Sequence, residues 1–240
     1  MSLKSVLLSG ATGSVGAHVL SQLLSTNHRV TAIVRSLSKS SPFLTEKYSS
    51  HIKSGSLKLV EIPDLTTPHA FDALAKTVDA IIHVATPLAS GKADFQKEVI
   101  DPTWLIDHSV LTAAAKAPYV KRLIITGTIL STFNVFEELF SGKTIDDKSY
   151  NSATHEEVTA LNNSRAAYMY AKTAAELKSW EFMEKEKPGF DLVVLLAPSI
   201  IGRSINEGYV PSKDSLGGMS NIYQSVFDVE KPGFLFPYVM

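Results

Sequence analysis

Apolar residues fall along the chain in two alternating rhythms. Short unbroken runs rich in Val, Ile and Leu occur at Val6-Leu7-Leu8 and over 30–34, 57–60, 80–84, 123–126 and 192–196. Runs this short, bounded by polar and turn-forming residues, predict strands covered on both faces. Between them the apolar spacing changes to that of a helix over 15–24, 101–117 and 164–187. Strand and helix in alternation predict an α/β fold, a Rossmann-type, doubly wound parallel sheet with helices on both sides. The segments 36–41 and 47–56 read as solvated connections, and Lys187-Pro188-Gly189 reads as a helix stop. From Ser131 to Asn163 the pattern lapses, although Phe133, Phe136, Leu139 and Phe140 share a helical spacing and read as a packing stripe. A connection of that length inside a compact domain is expected to be a lid or a substrate wall.

The first run leads directly into Ser9-Gly10-Ala11-Thr12-Gly13-Ser14-Val15-Gly16, with glycines three apart. Gly10 permits a tight turn out of a strand, Gly13 clears the approach of a pyrophosphate, and Gly16 lets the following helix lie close on the sheet. The helix N-terminus then presents unpaired N–H groups and the positive end of its dipole to the anion. Thr12, Ser14 and Val15 belong to the same cradle. Strand, glycine turn and helix in this order predict dinucleotide binding.

Composition narrows the choice. The 240 residues suffice for one α/β core, and the formal charge of -1 leaves no footprint for nucleic acid or an anionic membrane. Cys is absent from the sequence, which removes disulfides and thiol chemistry and fits a reducing compartment. The longest apolar stretch, 192–197 continued past Pro198 to Ile201, is too short to span a bilayer, and Val6-Leu7-Leu8 after Lys4 is too short for a signal peptide. A soluble cytoplasmic protein is expected. The seven histidines share no metal-ligand spacing, so no metal site is expected.

The second run ends in Val34-Arg35-Ser36, with Lys39 following. An acidic residue at this strand end would bond a ribose 2′-OH, whereas basic ones accommodate a 2′-phosphate. Arg35 and Lys39 therefore favour NADP(H), with NAD(H) as the second choice. Asp64-Leu65 follows the third run, where an adenine ring would lie. His83-Val84-Ala85-Thr86-Pro87 closes the fourth. The small residues Ala85, Thr86 and Pro87 suit a passing cofactor, and His83 reads as a packing residue.

Tyr168-Met169-Tyr170-Ala171-Lys172 opens a helical segment that continues through Ala174, Leu177, Trp180 and Met183. Tyr168 and Lys172 are four apart and share a helix face. A phenol titrates near 10, and a neighbouring ammonium is expected to lower that value by favouring the phenolate. Such a pair can hand a proton to a carbonyl oxygen as hydride reaches the carbon. Tyr170 would face elsewhere. Ile124-Ile125-Thr126-Gly127-Thr128 sets a hydroxyl at the end of the fifth run, and Ala197-Pro198-Ser199-Ile200-Ile201-Gly202 after the sixth is placed to flank a nicotinamide.

In their order, these motifs resemble the extended short-chain dehydrogenases/reductases. They are most similar to the dihydroflavonol-4-reductase-like carbonyl reductases, including fungal ketone, aldehyde and methylglyoxal reductases. The resemblance runs from Leu3 to about Arg203, so residues 1–203 are expected to form the dinucleotide-binding domain with the catalytic helix. It implies NADPH-dependent reduction of a ketone or aldehyde to an alcohol. Tyr168 would be the acid, Lys172 would bind the nicotinamide ribose and tune Tyr168, and Thr128 would supply the active-site hydroxyl. Pro198 and Ile200 fall on the nicotinamide side. The family often pairs through helices beside the catalytic one, so a homodimer is implied.

Three departures stand out. Thr128 stands where the family has Ser, and Gly127 where another Ser is common. The helix after the fourth run reads Leu105-Ile106-Asp107 in place of an Asn-Gly-Thr run. Family members also continue well past Met240, so 204–240 reads as the start of a substrate lobe, with a short helix around 220–227. The leading reading is a carbonyl reductase acting on a small molecule. A sugar-nucleotide epimerase or dehydratase recycling NAD is the second. A third is a nucleotide-binding regulator or remnant without turnover.

Overall fold

The computed structural model describes residues 4–87, 92–135, 137–138, 141–202 and 205. Its six strands are β1 (Ser5–Ser9), β2 (Arg29–Val34), β3 (Leu57–Glu61), β4 (Ala80–His83), β5 (Arg122–Thr128) and β6 (Asp191–Ala197). They form one sheet in the order β3-β2-β1-β4-β5-β6, and every neighbouring pair is parallel. Each apolar run predicted to be a strand is one. The order reverses between β1 and β4, so the connections leaving these two strands diverge and open a crevice at their carboxyl ends.

The helices are α1 (Ser14–Ser25), α2 (Leu37–Lys47), α3 (Ser49–Lys53), α4 (Asp72–Ala75), α5 (Asp101–Lys116), α6 (His155–Leu161) and α7 (Ser164–Glu186). Alternate residues of the central strands feed opposite layers of core. Leu7, Ile81, Leu123 and Ile125 pack with Val110, Leu111 and Ala114 of α5, whereas Leu8, Val30 and Ala32 pack with Leu20 and Leu24 of α1. This two-sided burial explains why the strands read as continuous apolar runs.

Two connections differ from expectation. The segments 36–41 and 47–56 hold α2 and α3, not solvated coil. Leu44 and Tyr48 are buried against the α1 side of the core, and that anchoring outweighs the weak helical preference of the surrounding serines. The long connection after β5 contains α6, closed at its start by a capping box in which Thr154 accepts from the Glu157 N–H and Glu157 accepts from the Thr154 N–H. Thr154-x-x-Glu157 is a legible helix start that apolar periodicity alone passes over. Phe133 packs with Val135 and Met169, while Phe136, Leu139, Phe140 and, apart from Ile205, the expected lobe over 204–240 lie outside the described residues.

Gly10 has φ +74°, and a Cβ there would lie 2.8 Å from the Ala85 nitrogen. A Cβ on Gly16 would fall 2.0 Å from the Gly10 carbonyl oxygen, so α1 sits against the β1 turn through bare backbone. Gly16→Ala is expected to cost about 3 kcal/mol of stability by prising the two apart. Urea unfolding measures it, and an unchanged midpoint would contradict the close packing.

Candidate active site

The corner between β1 and α1 is built for an anion. Gly13 is the N-cap of α1, with no side-chain cap and no acidic residue in the first turn. Thr12, Gly13 and Ser14 carry the backbone around that helix start, with Val15 in its first turn and Gly16 buried beneath. A Cβ on Gly13 would meet only the Gly10 oxygen, at 3.4 Å, so the space in front of the turn is open. This cradle fits a pyrophosphate by its exposed helix N-terminus and its lack of side chains.

Ser9, at the end of β1, holds the neighbouring strand end in place. Its Oγ accepts from the N–H groups of Val84 and Ala85 at 3.1 and 3.2 Å. The same oxygen lies 2.8 Å from His83 Nδ1. With both N–H groups donating to it, the hydroxyl proton is free to go to Nδ1, which puts the imidazole proton on Nε2. His83 is 2% exposed and meets Phe71 edge-on at 5.9 Å, as its packing role predicts. Ala85, Thr86 and Pro87 follow half-buried, with the Thr86 hydroxyl buried and unpaired.

Arg35 and Lys39 are both exposed, at the end of β2 and in the first turns of α2. Sequence reading missed Glu61 here, whose Oε2 accepts from the Leu37 N–H at 2.6 Å and so braces the start of α2. Asp64 closes a turn, accepting from the Thr66 N–H at 2.8 Å and the Thr66 hydroxyl at 2.7 Å. Those bonds, the hydroxyl first, hold its carboxyl below the usual value. Leu65 beside it packs on the α5 side of the core.

Thr128 ends β5 and is buried, with Oγ1 accepting from the Leu130 N–H at 3.3 Å. Its backbone pairs with Ala197, so Pro198 and Ile200 continue β6 just past this hydroxyl and lie exposed. The replacement at Gly127 has a packing cause. A Cβ there would come 2.8 Å from Leu196 Cδ2 and 2.9 Å from Val194 Cγ1, which fill the space a serine would need. Asn151 ties the long connection to the strand end. Its N–H donates to the Ser131 carbonyl at 2.8 Å and its amide to the Leu130 carbonyl at 3.2 Å. Ser131 donates to Glu176 of α7 at 2.7 Å.

α7 starts from Asn163, whose Oδ1 accepts from the N–H groups of Arg165 and Ala166. It ends at Lys187, left-handed with φ +46°, just before Pro188. Its buried face is made mostly of small residues, among them Ala167, Ala171 and Ala175, together with Met169 and Lys172, whereas Leu177 and Trp180 are exposed. This face lets α7 come close to α5 and to the end of β5, bringing Tyr168 to Thr128. Tyr170 turns away to His155 of α6, with ring centroids 5.5 Å apart. A cavity of about 430 Å3 lies between α6, the start of α7 and Asn134, and neither Tyr168 nor Thr128 lines it.

The electrostatics differ from expectation at one point. Burial raises the Tyr168 phenol above its ordinary value, and a hydrogen bond with the Thr128 side chain offsets part of the rise. The lysine field expected to lower the phenol is not among the causes. Lys172, 4% exposed, acts instead on His83 and Asp107. Asp107, also 4% exposed, lies on the core-facing stripe of α5, with Oδ1 3.4 Å from His83 Nε2. Burial, then the Lys172 charge, pushes His83 down to about 3. Burial pushes Asp107 up to about 6 against the opposing pull of Lys172. Ile106 packs into the same side of the core.

The motifs, the sheet order and the family comparison agree. The NAD dependent epimerase/dehydratase family matches residues 6–215, and the chain belongs to that family. Among its relatives, aldehyde reductase 2 of Sporidiobolus salmonicolor is 30% identical over 91% of this chain and 63% of its own length. An uncharacterized oxidoreductase of Schizosaccharomyces pombe is 30% identical over 99% of this chain and 70% of its own length. Yeast methylglyoxal/isovaleraldehyde reductase Gre2, solved with NADPH, superposes with a TM-score of 0.76 at 25% identity. It covers 84% of this chain and 59% of that one. The chain thus spans less than two thirds of the length of several proteins it resembles.

A buried carboxyl whose value is raised on folding favours the native state at low pH and loses that advantage as pH rises through about 4 to 6. Asp107→Asn is therefore expected to be more stable than the parent at pH 8, by on the order of 3 kcal/mol. The difference should fade near pH 4, where both side chains are neutral. Denaturant titrations across this range test it, and a difference independent of pH would contradict the assignment.

Proposed function

We infer that the protein is an NADPH-dependent carbonyl reductase that converts a ketone or aldehyde to the alcohol. The observation that carries this reading is the Tyr168 phenol set beside the Thr128 side chain, which offsets part of the rise that burial imposes on it, with Lys172 one helical turn further along α7. Gly10, Thr12, Gly13, Ser14, Val15 and Gly16 would hold the pyrophosphate, and Arg35 and Lys39 the 2′-phosphate. Asp64 and Leu65 would border the adenine, and Ala85, Thr86 and Pro87 would line the crossing of the strand ends. Pro198 and Ile200 would flank the nicotinamide, with Lys172 on its ribose. When bound, the reduced nicotinamide supplies the hydride.

Tyr168 gives its proton to the carbonyl oxygen as the carbon is reduced, and the Thr128 hydroxyl orients both oxygens. A desolvated phenol stays protonated at neutral pH, which suits a proton donor. The related aldehyde and methylglyoxal reductases, by their names, support the substrate class. The reading includes a cytoplasmic enzyme. No described helix is long and apolar enough to cross a membrane. It also includes a homodimer paired through the α5 and α7 faces, where Leu105, Leu177 and Trp180 are exposed.

NADPH oxidation against a panel of ketones and aldehydes tests the assignment. Tyr168→Phe should bind NADPH as the parent does and lose at least ~100-fold in turnover. Equal rates would remove Tyr168 from the chemistry. Arg35→Ala should weaken NADPH about tenfold more than NADH, since only the former carries the 2′-phosphate. An equal loss for both would reverse the cofactor preference.

A further inference from the structure

α7 meets the connection after β5 along a face set beside the one that carries Tyr168 and Lys172. Met169, Thr173 and Glu176 follow one another there at helical spacing. Met169 packs with Phe133 and Val135. The Thr173 hydroxyl, which donates to the Met169 carbonyl at 2.8 Å, lies 3.5 Å from the Ser131 carbonyl. Glu176 Oε2 accepts from the Ser131 hydroxyl at 2.7 Å. Glu176 is half-buried, and among the described residues no lysine, arginine or histidine forms an ion pair with it. A carboxylate drawn out of water to meet a serine and not a cation needs an explanation.

We propose that Glu176, acting through Ser131, positions the Thr128 hydroxyl against the Tyr168 phenol. It is a positioning residue, and the proposal rests on the reductase reading for its consequence in turnover. The chain of contacts is short. Ser131 is 1% exposed, and its one hydroxyl proton is shared between Glu176 Oε2 at 2.7 Å and the Thr128 carbonyl at 2.9 Å. A carboxylate only accepts, so the Ser131 hydroxyl has one setting, and it ties α7 to the last residue of β5. The backbone then turns tightly. The Leu130 N–H donates to Thr128 Oγ1 at 3.3 Å, and the Thr132 N–H donates to the Ile129 carbonyl at 3.1 Å. With one lone pair of Thr128 Oγ1 taken by Leu130, its other lone pair and its proton are left for the site. Asn151 holds the Leu130 and Ser131 carbonyls from the other side, so the turn is pinned from two directions. Glu176 supplies the closest pin from the helix that carries Tyr168. The Thr128 side chain offsetting part of the rise that burial imposes on Tyr168 agrees with a contact held in this way.

Turnover and phenolate absorbance together test this in the whole protein. Glu176→Ala should lower kcat about tenfold and leave the KM for NADPH unchanged, since it displaces the hydroxyl and not the cofactor cradle. Glu176→Gln, whose amide oxygen still accepts from Ser131, should recover most of the rate. Ser131→Ala removes a single oxygen, should match Glu176→Ala, and serves where that variant does not fold. In a Thr128→Ala background Glu176→Ala should lose no further turnover, because its effect passes through that hydroxyl. Without ligand, the Tyr168→Phe difference in absorbance isolates the phenol. Its ionisation should move up in Glu176→Ala and Ser131→Ala, towards that in Thr128→Ala, and stay in place in Glu176→Gln. A Glu176→Gln variant as impaired as Glu176→Ala would overturn the proposal, since charge and not position would then be the cause. A loss that adds to that of Thr128→Ala would overturn it as a general loosening, and so would an unmoved phenol in both alanine variants. The reductase reading fails on a different result, full turnover by Tyr168→Phe, which leaves the absorbance comparison intact.

Discussion

All six strands run in one direction, and that constraint decides where chemistry can occur. Every strand delivers its last residue to the same edge of the sheet, so Ser9, Val34, His83, Thr128 and Ala197 arrive side by side although they are far apart in sequence. At the break in order between β1 and β4 the following connections part, leaving a crevice at the strands' carboxyl ends. Gly10 and Gly16 keep this edge compact. One lets β1 turn beneath Ala85, and the other seats α1 on that turn with no side chain between. The helix dipole, the basic residues after β2 and the hydroxyl after β5 then act on one region, because the parallel sheet gives them no alternative.

α7 adds the remaining groups through an unusual economy of side chains. A large apolar stripe would have held the helix away from β5. Ala167, Ala171 and Ala175 instead let its backbone approach, and Tyr168 reaches Thr128 at the end of β5. Leu177 and Trp180 belong to the same helical pattern in sequence yet stand exposed. The large apolar residues on a helix do not always mark its buried face. Here the close approach is made by alanines that carry little weight in a hydrophobicity pattern.

This contrast explains what could be read from the chain and what could not. Strands buried on both faces write themselves as unbroken Val, Ile and Leu runs, and all six were legible. The glycine spacing was equally so, because backbone contacts tolerate no substitute. α2 and α3 were hidden because they are anchored by single residues, Leu44 and Tyr48, amid serines and lysines. Ser9, Glu61 and Asn151 were invisible as functional supports, since their roles depend on neighbours 75, 24 and 21 positions away. Asp107 lay between these cases. A carboxylate on the core stripe of a helix is a visible anomaly in the sequence, but its neighbour His83 comes from β4, and only the fold brings the two together.

The buried charges also bear on how a phenol serves as a proton donor. Desolvation and a neighbouring ammonium push in opposite directions, and sequence spacing reveals only the second. In this protein burial prevails, and the phenol is raised. A donor held in the protonated form loses nothing at neutral pH, provided the transition state restores the field that the ground state withholds. In the reduction proposed above, negative charge develops on the carbonyl oxygen and then on the phenolate, beside the Thr128 side chain and one helical turn from Lys172. A site that favours the charged reacting state over the neutral one meets the electrostatic condition for accelerating a proton transfer.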